Sequence, residues 1–265
     1  MRMLLAVDIG NTEIVIGVFQ DSELTQHWRV ATVSSRTADE HALLLGGLLG
    51  QQGLGFDTVT GVAVSSVVPR LSQTMRELAA RYLGHEPIMI EPGVRTGVPI
   101  LTDNPREVGA DRVVNAVAAI DAYGGPAIVV DFGTATTFDT ISEKGELLGT
   151  AIAPGIQISV SALAERAAQL RRVELVAPRS AIGRNTVASL QAGIVFGFAA
   201  QVDGIVRRIK AELGDHAIVI ATGGLAPVVL GVSETIQQHD PWLTLRGLRL
   251  VYELNAAERR QADPR

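Results

Sequence analysis

The chain has 265 residues, 47% of them apolar and 19% charged, with a formal net charge of -5. That is enough for about two domains at roughly 150 residues each, and too apolar for a disordered chain. Without cysteine, disulfide frameworks and thiolate metal sites are excluded. The negative charge leaves no electrostatic footprint for nucleic acid, although an anionic small substrate stays open because local fields outweigh the sum. With aromatics at only 4%, cores must be built from Val, Ile, Leu and Ala, which suits buried strands covered by helices. No run of about 18 apolar residues appears and Met1-Arg2-Met3 leads straight into a strand, so the expectation is a cytoplasmic protein without membrane span or signal peptide. The last stretch, Ala256 to Arg265, is polar and expected to fray.

Residues 3–9 read as a buried strand broken by Gly10-Asn11-Thr12. A second strand follows at Ile14 to Phe19, then a turn at Gln20-Asp21-Ser22 and a third strand reaching Arg29-Val30. Thr37 to Leu49 has helical spacing, with Leu43, Leu44, Leu45 and Leu48 as its apolar face. Val62 to Val68 is a strand ended by Pro69, and Arg70 to Tyr82 a helix.

The same grammar returns later. Ile128-Val129-Val130-Asp131-Phe132-Gly133-Thr134 repeats Leu5-Ala6-Val7-Asp8-Ile9-Gly10-Asn11. A second strand follows at Thr136 to Ile141, then a turn at Glu143-Lys144-Gly145 and a third strand near Leu147-Leu148. Ala217 to Ala221 forms a strand ending in Thr222-Gly223-Gly224, matching Gly61 to Val68 in the first half. Two ordinary hairpins could share this grammar. Two related α/β lobes, each a mixed sheet with flanking helices, account for the whole order. The breaker cluster Gly124-Gly125-Pro126 sets the boundary, giving lobes 1–124 and 125–265. The second lobe carries an insertion near 156–190, helical over Ile156 to Arg172.

An Asp closing a buried strand can hold Mg²⁺ directly or through water. The Gly just beyond lets backbone approach a phosphate without a Cβ. Asn11 and Thr12, or Thr134 and Thr136, then add amide and hydroxyl donors, and successive N–H groups make an anion-binding concavity. Gly223-Gly224 can pass beside a purine or ribose. A plain hairpin or a plain strand-to-helix turn is the alternative for each. Neither G-x-x-x-x-G-K-[ST] nor a well-placed G-x-G-x-x-G occurs, so P-loop and Rossmann routes lack support.

Asp103-Asn104-Pro105-Arg106-Glu107-Val108-Gly109-Ala110-Asp111-Arg112 is the most distinctive polar stretch. Asn104 is expected to cap a helix with Pro105 at its first position, running on through Val113, Val114, Val117 and Ala118. Phosphoryl transfer needs positioned phosphates, neutralised charge and an acceptor for the attacking hydroxyl's proton. Asp111 is the candidate for that proton, with Arg112 as a clamp for an anionic acceptor. A surface Asp–Arg pair is the bland alternative.

Asp8-Ile9-Gly10-Asn11-Thr12, Gly109-Ala110-Asp111-Arg112, Asp131-Phe132-Gly133-Thr134-Ala135-Thr136 and Thr222-Gly223-Gly224 stand in the order seen in type III pantothenate kinases. Ala153-Pro154-Gly155-Ile156 and Ile182-Gly183-Arg184-Asn185-Thr186 also resemble that family, so the likeness runs from about Leu4 to Val229. The resemblance implies an actin-like (RNase H-like) ATPase fold and transfer of the ATP γ-phosphate to pantothenate, the first step toward coenzyme A. It implies ATP phosphate contacts along Asp8, Ile9, Gly10, Asn11, Thr12, Glu13, Ile14 and Val15 and at Thr134, to which the residue reading adds Gly223 and Gly224 beside the nucleoside. Asp8 would hold Mg²⁺ through water, Asp131 would hold K⁺ or NH₄⁺, and Asp111 would accept the proton. Gly109, Ala110, Asp111 and Arg112 would line the pantothenate site, joined by Thr186 from the other subunit of a homodimer. One departure stands out: Thr102 occupies the position where many members carry a Tyr against the substrate. The rivals are a transcription-regulatory protein on the same scaffold and another small actin-like kinase acting on a sugar or acetate.

Overall fold

A computed structural model describes residues 3–166 and 173–262. The chain forms two compact units, one of residues 1–98, 104–118 and 244–265, the other of residues 99–103 and 119–243.

In the first unit, β1 (Met3–Ile9), β2 (Glu13–Gln20) and β3 (Glu23–Ala31) form a meander, extended by β4 (Gly61–Ser66) and β5 (Ile88–Met89). The sheet order is β3-β2-β1-β4-β5, with β4 and β5 added in parallel. One face presents Leu5, Val7, Ile9, Val62 and Val64 to α1 (Ala38–Gly50) and α2 (Pro69–Leu78). Thr37 and Glu40 form a reciprocal capping box at the start of α1. The buried face of α1 is Ala38, His41, Ala42, Leu45 and Leu49, not the expected run of leucines. Leu43 is 80% exposed because the 3.6-residue period turns it away from Leu45.

The second unit repeats this plan with β6 (Ala127–Phe132), β7 (Ala135–Ile141), β8 (Leu147–Pro154), β9 (Ile218–Thr222) and β10 (Gln238–His239), in the order β10-β9-β6-β7-β8. Its helices are α4 (Ile156–Arg166), α5 (Thr186–Leu213) and the short α6 (Pro227–Leu230). Ile128, Val130, Phe132, Val219 and Ala221 face Val202, Val206 and Val229 in its core. The expected insertion helix is observed as α4, and its remainder over residues 167–172 lies outside the described residues.

Two expectations are corrected. Asn104 caps only a single 3-10 turn, Pro105–Glu107, accepting from the Arg106 amide at 3.3 Å. Val108 is then extended, and α3 (Ala110–Tyr123) begins afresh, with the Gly109 carbonyl accepting from the Arg112 and Val113 amides. A second lobe of 125–265 takes in the last helix, α7 (Leu243–Ala262), but from Thr244 onward this helix belongs to the first unit. It packs there because three glycines admit it. A Cβ at Gly17 would meet Leu245, one at Gly61 would meet Tyr252, and one at Gly247 would lie 2.0 Å from the Val114 carbonyl oxygen.

α5 is long and apolar enough by length and composition to cross a membrane, although Ile194, Ala199, Val202 and Val206 are buried in the unit's core.

Candidate active site

In the first unit, Asp8 is the penultimate residue of β1, half-buried, paired with Val15 on β2 and Ser65 on β4. Asp8 shares its sheet face with Ala6, Gly17 and Gly61, the face on which α7 lies. The three-residue loop Gly10-Asn11-Thr12 is braced from one side. The Gly10 amide donates to the Glu13 carbonyl at 3.0 Å, the Thr32 hydroxyl donates to the Gly10 carbonyl at 2.8 Å, and the Thr32 amide donates to the Thr12 carbonyl at 2.9 Å. Arg29 and Glu13 pair across β2 and β3 at 3.2 Å. Asn11, Thr12 and Glu13 are exposed, whereas Ile14 is buried at 2% and points into the core, so its share in any nucleotide contact is backbone.

Asp111 occupies the second position of α3, where negative charge is favoured by the helix dipole. Its Oδ1 accepts from the Arg112 amide at 2.9 Å. A Cβ at Gly109 would sit 2.4 Å from that same Oδ1, so the carboxylate holds its place only beside a glycine. The Arg112 guanidinium donates to the Glu107 carbonyl at 3.4 Å, and Asn104 donates to the Glu107 carboxylate at 2.7 Å, tying the segment together. One turn on, the fully buried Asn115 accepts from the Thr244 hydroxyl at 2.8 Å, fixing α3 on α7.

In the second unit, Asp131 takes the matching penultimate place in β6, paired with Thr137 on β7 and Thr222 on β9. Its loop is one residue shorter, Gly133-Thr134, closed by the Gly133 amide donating to the Ala135 carbonyl at 3.0 Å. Two glycines crowd it. A Cβ at Gly155 would lie 2.2 Å from the Thr134 carbonyl oxygen, and Gly223, at φ +89, would place one 2.5 Å from Asp131 Oδ1. Thr134 and Gly224 are exposed. Thr136, expected to lend a hydroxyl, is fully buried on the core side, and its Oγ1 has no partner among the described residues. Thr186 is exposed at the first position of α5, whose Asn185 cap accepts from the Ala188 amide at 2.9 Å. Gly183 allows the preceding segment to fold against Ser189. Thr102 Oγ1 is buried without a partner among the described residues.

Among the described residues, no three His, Asp or Glu side chains gather as a metal cage.

Sequence reasoning passed over two buried polar groups, one in each unit. Asp203, on α5 and only 5% exposed, accepts from the Ser233 hydroxyl, the Glu234 amide, and the Thr235 hydroxyl and amide at 2.7–3.1 Å. Burial opposes its charge, but these donors outweigh it and hold the carboxyl below its usual range. His41 is buried in the first unit beside a small apolar cavity of about 20 Å³ lined by Leu5, Val7, Ile16, Val62 and Met75, and its Nε2 lacks a partner among the described residues. Burial, reinforced by Arg36 and opposed by Glu40, depresses its pKa.

The model of the type III pantothenate kinase family matches residues 4–208. Type III pantothenate kinase from Streptomyces griseus is 58% identical over 263 residues, 96% of this chain and 99% of that one. The one from Acidothermus cellulolyticus is 59% identical over 257 residues, 97% of this chain and 100% of that one. Among solved structures, the activator of 2-hydroxyisocaproyl-CoA dehydratase from Clostridium difficile, with bound ADPNP, aligns at TM-score 0.60 and 13% identity over 97% of each chain. A Campylobacter jejuni protein named for the Baf family of transcriptional activators aligns at TM-score 0.61 and 18% identity, over 96% of this chain and 99% of that one. The ROK hexokinase from Thermus thermophilus aligns at TM-score 0.52 and 15% identity over 97% and 99%. These distant likenesses carry the fold alone: an actin-like ATPase fold of two mixed sheets with helices.

Proposed function

This chain belongs to the type III pantothenate kinase family, and we propose on that premise that it moves the ATP γ-phosphate to the primary hydroxyl of pantothenate with Asp111 as proton acceptor. It is an ATP-dependent kinase that uses a divalent metal, and pantothenate is its substrate. The observation that carries the role of Asp111 is its placement: a half-buried carboxylate at the head of α3, seated against Gly109 with Arg112 next in the chain.

The remaining roles follow the family pattern residue by residue. Asp8 to Val15 and Thr134 engage the ATP phosphates, through backbone where side chains face the core, while Gly223 and Gly224 leave room for the nucleoside. Asp8 holds Mg²⁺ through water, and Asp131 holds K⁺ or NH₄⁺. Bound cations supply neutralisation of the charge spread over the transferred phosphoryl oxygens. Gly109, Ala110 and Arg112 grip pantothenate, Arg112 by pairing with its carboxylate. Thr186 completes the site from a second copy of the chain.

That homodimer is supported by apolar side chains left exposed on the second unit. Ile152 on the edge strand β8, Ile158 and Leu163 on α4, Ile182, and Val187 on α5 are between 42% and 79% exposed. The enzyme works in the cytoplasm, with neither nucleic acid nor membrane as partner. The transcription-regulatory reading has only a likeness of 18% identity behind it. ADP release measured with pantothenate, glucose and acetate in turn, in Mg²⁺ plus K⁺, separates the readings. Turnover with pantothenate alone is expected; none with pantothenate contradicts the proposal.

A further inference from the structure

Ser65 is fully buried, and its Oγ has no hydrogen-bond partner among the described residues. A buried hydroxyl left in this state is destabilising, and alanine would occupy the same place without that penalty. Its location suggests what the hydroxyl is kept for. Ser65 pairs in register with Asp8 across the parallel β1–β4 ladder, so the two side chains leave the same face of the sheet from strands about 4.8 Å apart. That face lies opposite Val7 and Val64, which line the core.

The second unit reproduces the arrangement. Thr222, 1% exposed, pairs in register with Asp131 across the parallel β6–β9 ladder, on the face opposite Val130 and Ala221. The steps just before are aliphatic in both units: Ala6 with Ala63 and Val7 with Val64, Val129 with Ile220 and Val130 with Ala221. In each ladder the hydroxyl is placed beside the aspartate.

We propose that Ser65 and Thr222 are positioning residues for Asp8 and Asp131. Each hydroxyl donates to one oxygen of the neighbouring carboxylate when that carboxylate turns to its cation, fixing the angle of the other oxygen. For Ser65 this hydrogen bond forms only in the liganded protein, so the desolvation cost borne by the free chain is recovered on binding. The inference rests on the assignment of Asp8 and Asp131 to cation sites.

The test compares Ser65→Ala and Asp8→Asn with the unaltered protein. Calorimetry reads the affinity for Mg²⁺ with a non-hydrolysable ATP analogue, and thermal unfolding is followed without ligand. Ser65→Ala is expected to leave the ligand-free Tm unchanged or higher while weakening Mg²⁺–nucleotide affinity by about 10–100-fold, the usual loss when a partner of a metal ligand is removed. Thr222→Val should raise half-saturating K⁺ by a similar factor at unchanged Mg²⁺ dependence, and Thr222→Ser should restore it. If Asp8→Asn weakens binding and Ser65→Ala does not, the role of Ser65 is overturned. If Asp8→Asn itself has no effect, the cation assignment beneath it falls as well.

Discussion

The loops after Asp8 and Asp131 begin from the same strand plan and end differently. Both follow the first strand of a sheet with the same neighbour order, and both are closed by a glycine amide donating across the turn. The first has three residues, is braced by Thr32, and leaves Asn11 and Thr12 exposed. The second has two, and Gly155 and Gly223 press backbone against it from two sides. A loop open to solvent can close around a polyphosphate. One wedged between two backbones offers a rigid seat for a carboxylate. Duplicated architecture thus supports unequal aspartates, and the third, Asp111, has no counterpart in that repeat because it stands on α3, outside both hairpins.

The sharpest break of this comparison is at Asp111. Asp111→Asn should lower kcat by roughly 10²–10⁴-fold, the range for loss of a general base, with ATP affinity by calorimetry unchanged. A matching loss of ATP affinity would make Asp111 structural and return the chemistry to the two loops. Gly109→Ala should act in the same direction through displacement of the Asp111 carboxylate, lowering kcat about tenfold, with the fold intact by circular dichroism.

The units also differ in what their cores conceal, and pH separates them. The second unit depends on Asp203, where Asp203→Ala strands the Ser233 and Thr235 donors and should cost about 3 kcal/mol in denaturant unfolding. Its folded carboxyl lies below the ordinary value of 3.8, so its contribution is present above that value and is lost as pH falls through the lower, folded one. The first unit conceals a neutral His41, whose folded pKa lies below 6.5. There the unfolded chain binds the proton first, so stability begins to fall as pH drops past about 6.5. His41→Leu should flatten Tm between pH 7 and about pH 5, the smallest of these effects, and an unaltered slope would remove His41 from the account.

Much of this was legible in the residues themselves. The hairpins carry local signals: aliphatic runs broken by Asp-x-Gly, with the same order twice. Thr37 and Glu40 announce the start of α1 through a three-residue spacing. The features that escaped are long-range or depend on one dihedral angle. The break at Val108 separates a 3-10 turn from α3 although Asn104-Pro105 reads as a helix start. The return of α7 to the first unit depends on the smallness of Gly17 and Gly61, more than 180 positions away from its residues. Asp203 meets donors about 30 positions further on. Nothing local marks Ser65, whose significance arises only from its register with Asp8.

The claim that matched aspartates have taken unequal cations is tested most directly by crossed titration. Phosphorylation of pantothenate is followed against Mg²⁺ at saturating K⁺, and against K⁺ at saturating Mg²⁺, for Asp8→Ala and Asp131→Ala. The account predicts that Asp131→Ala loses stimulation by K⁺ and keeps its Mg²⁺ dependence, while Asp8→Ala weakens the response to Mg²⁺. Full stimulation of Asp131→Ala by K⁺, or equal loss of both responses in both variants, would contradict it.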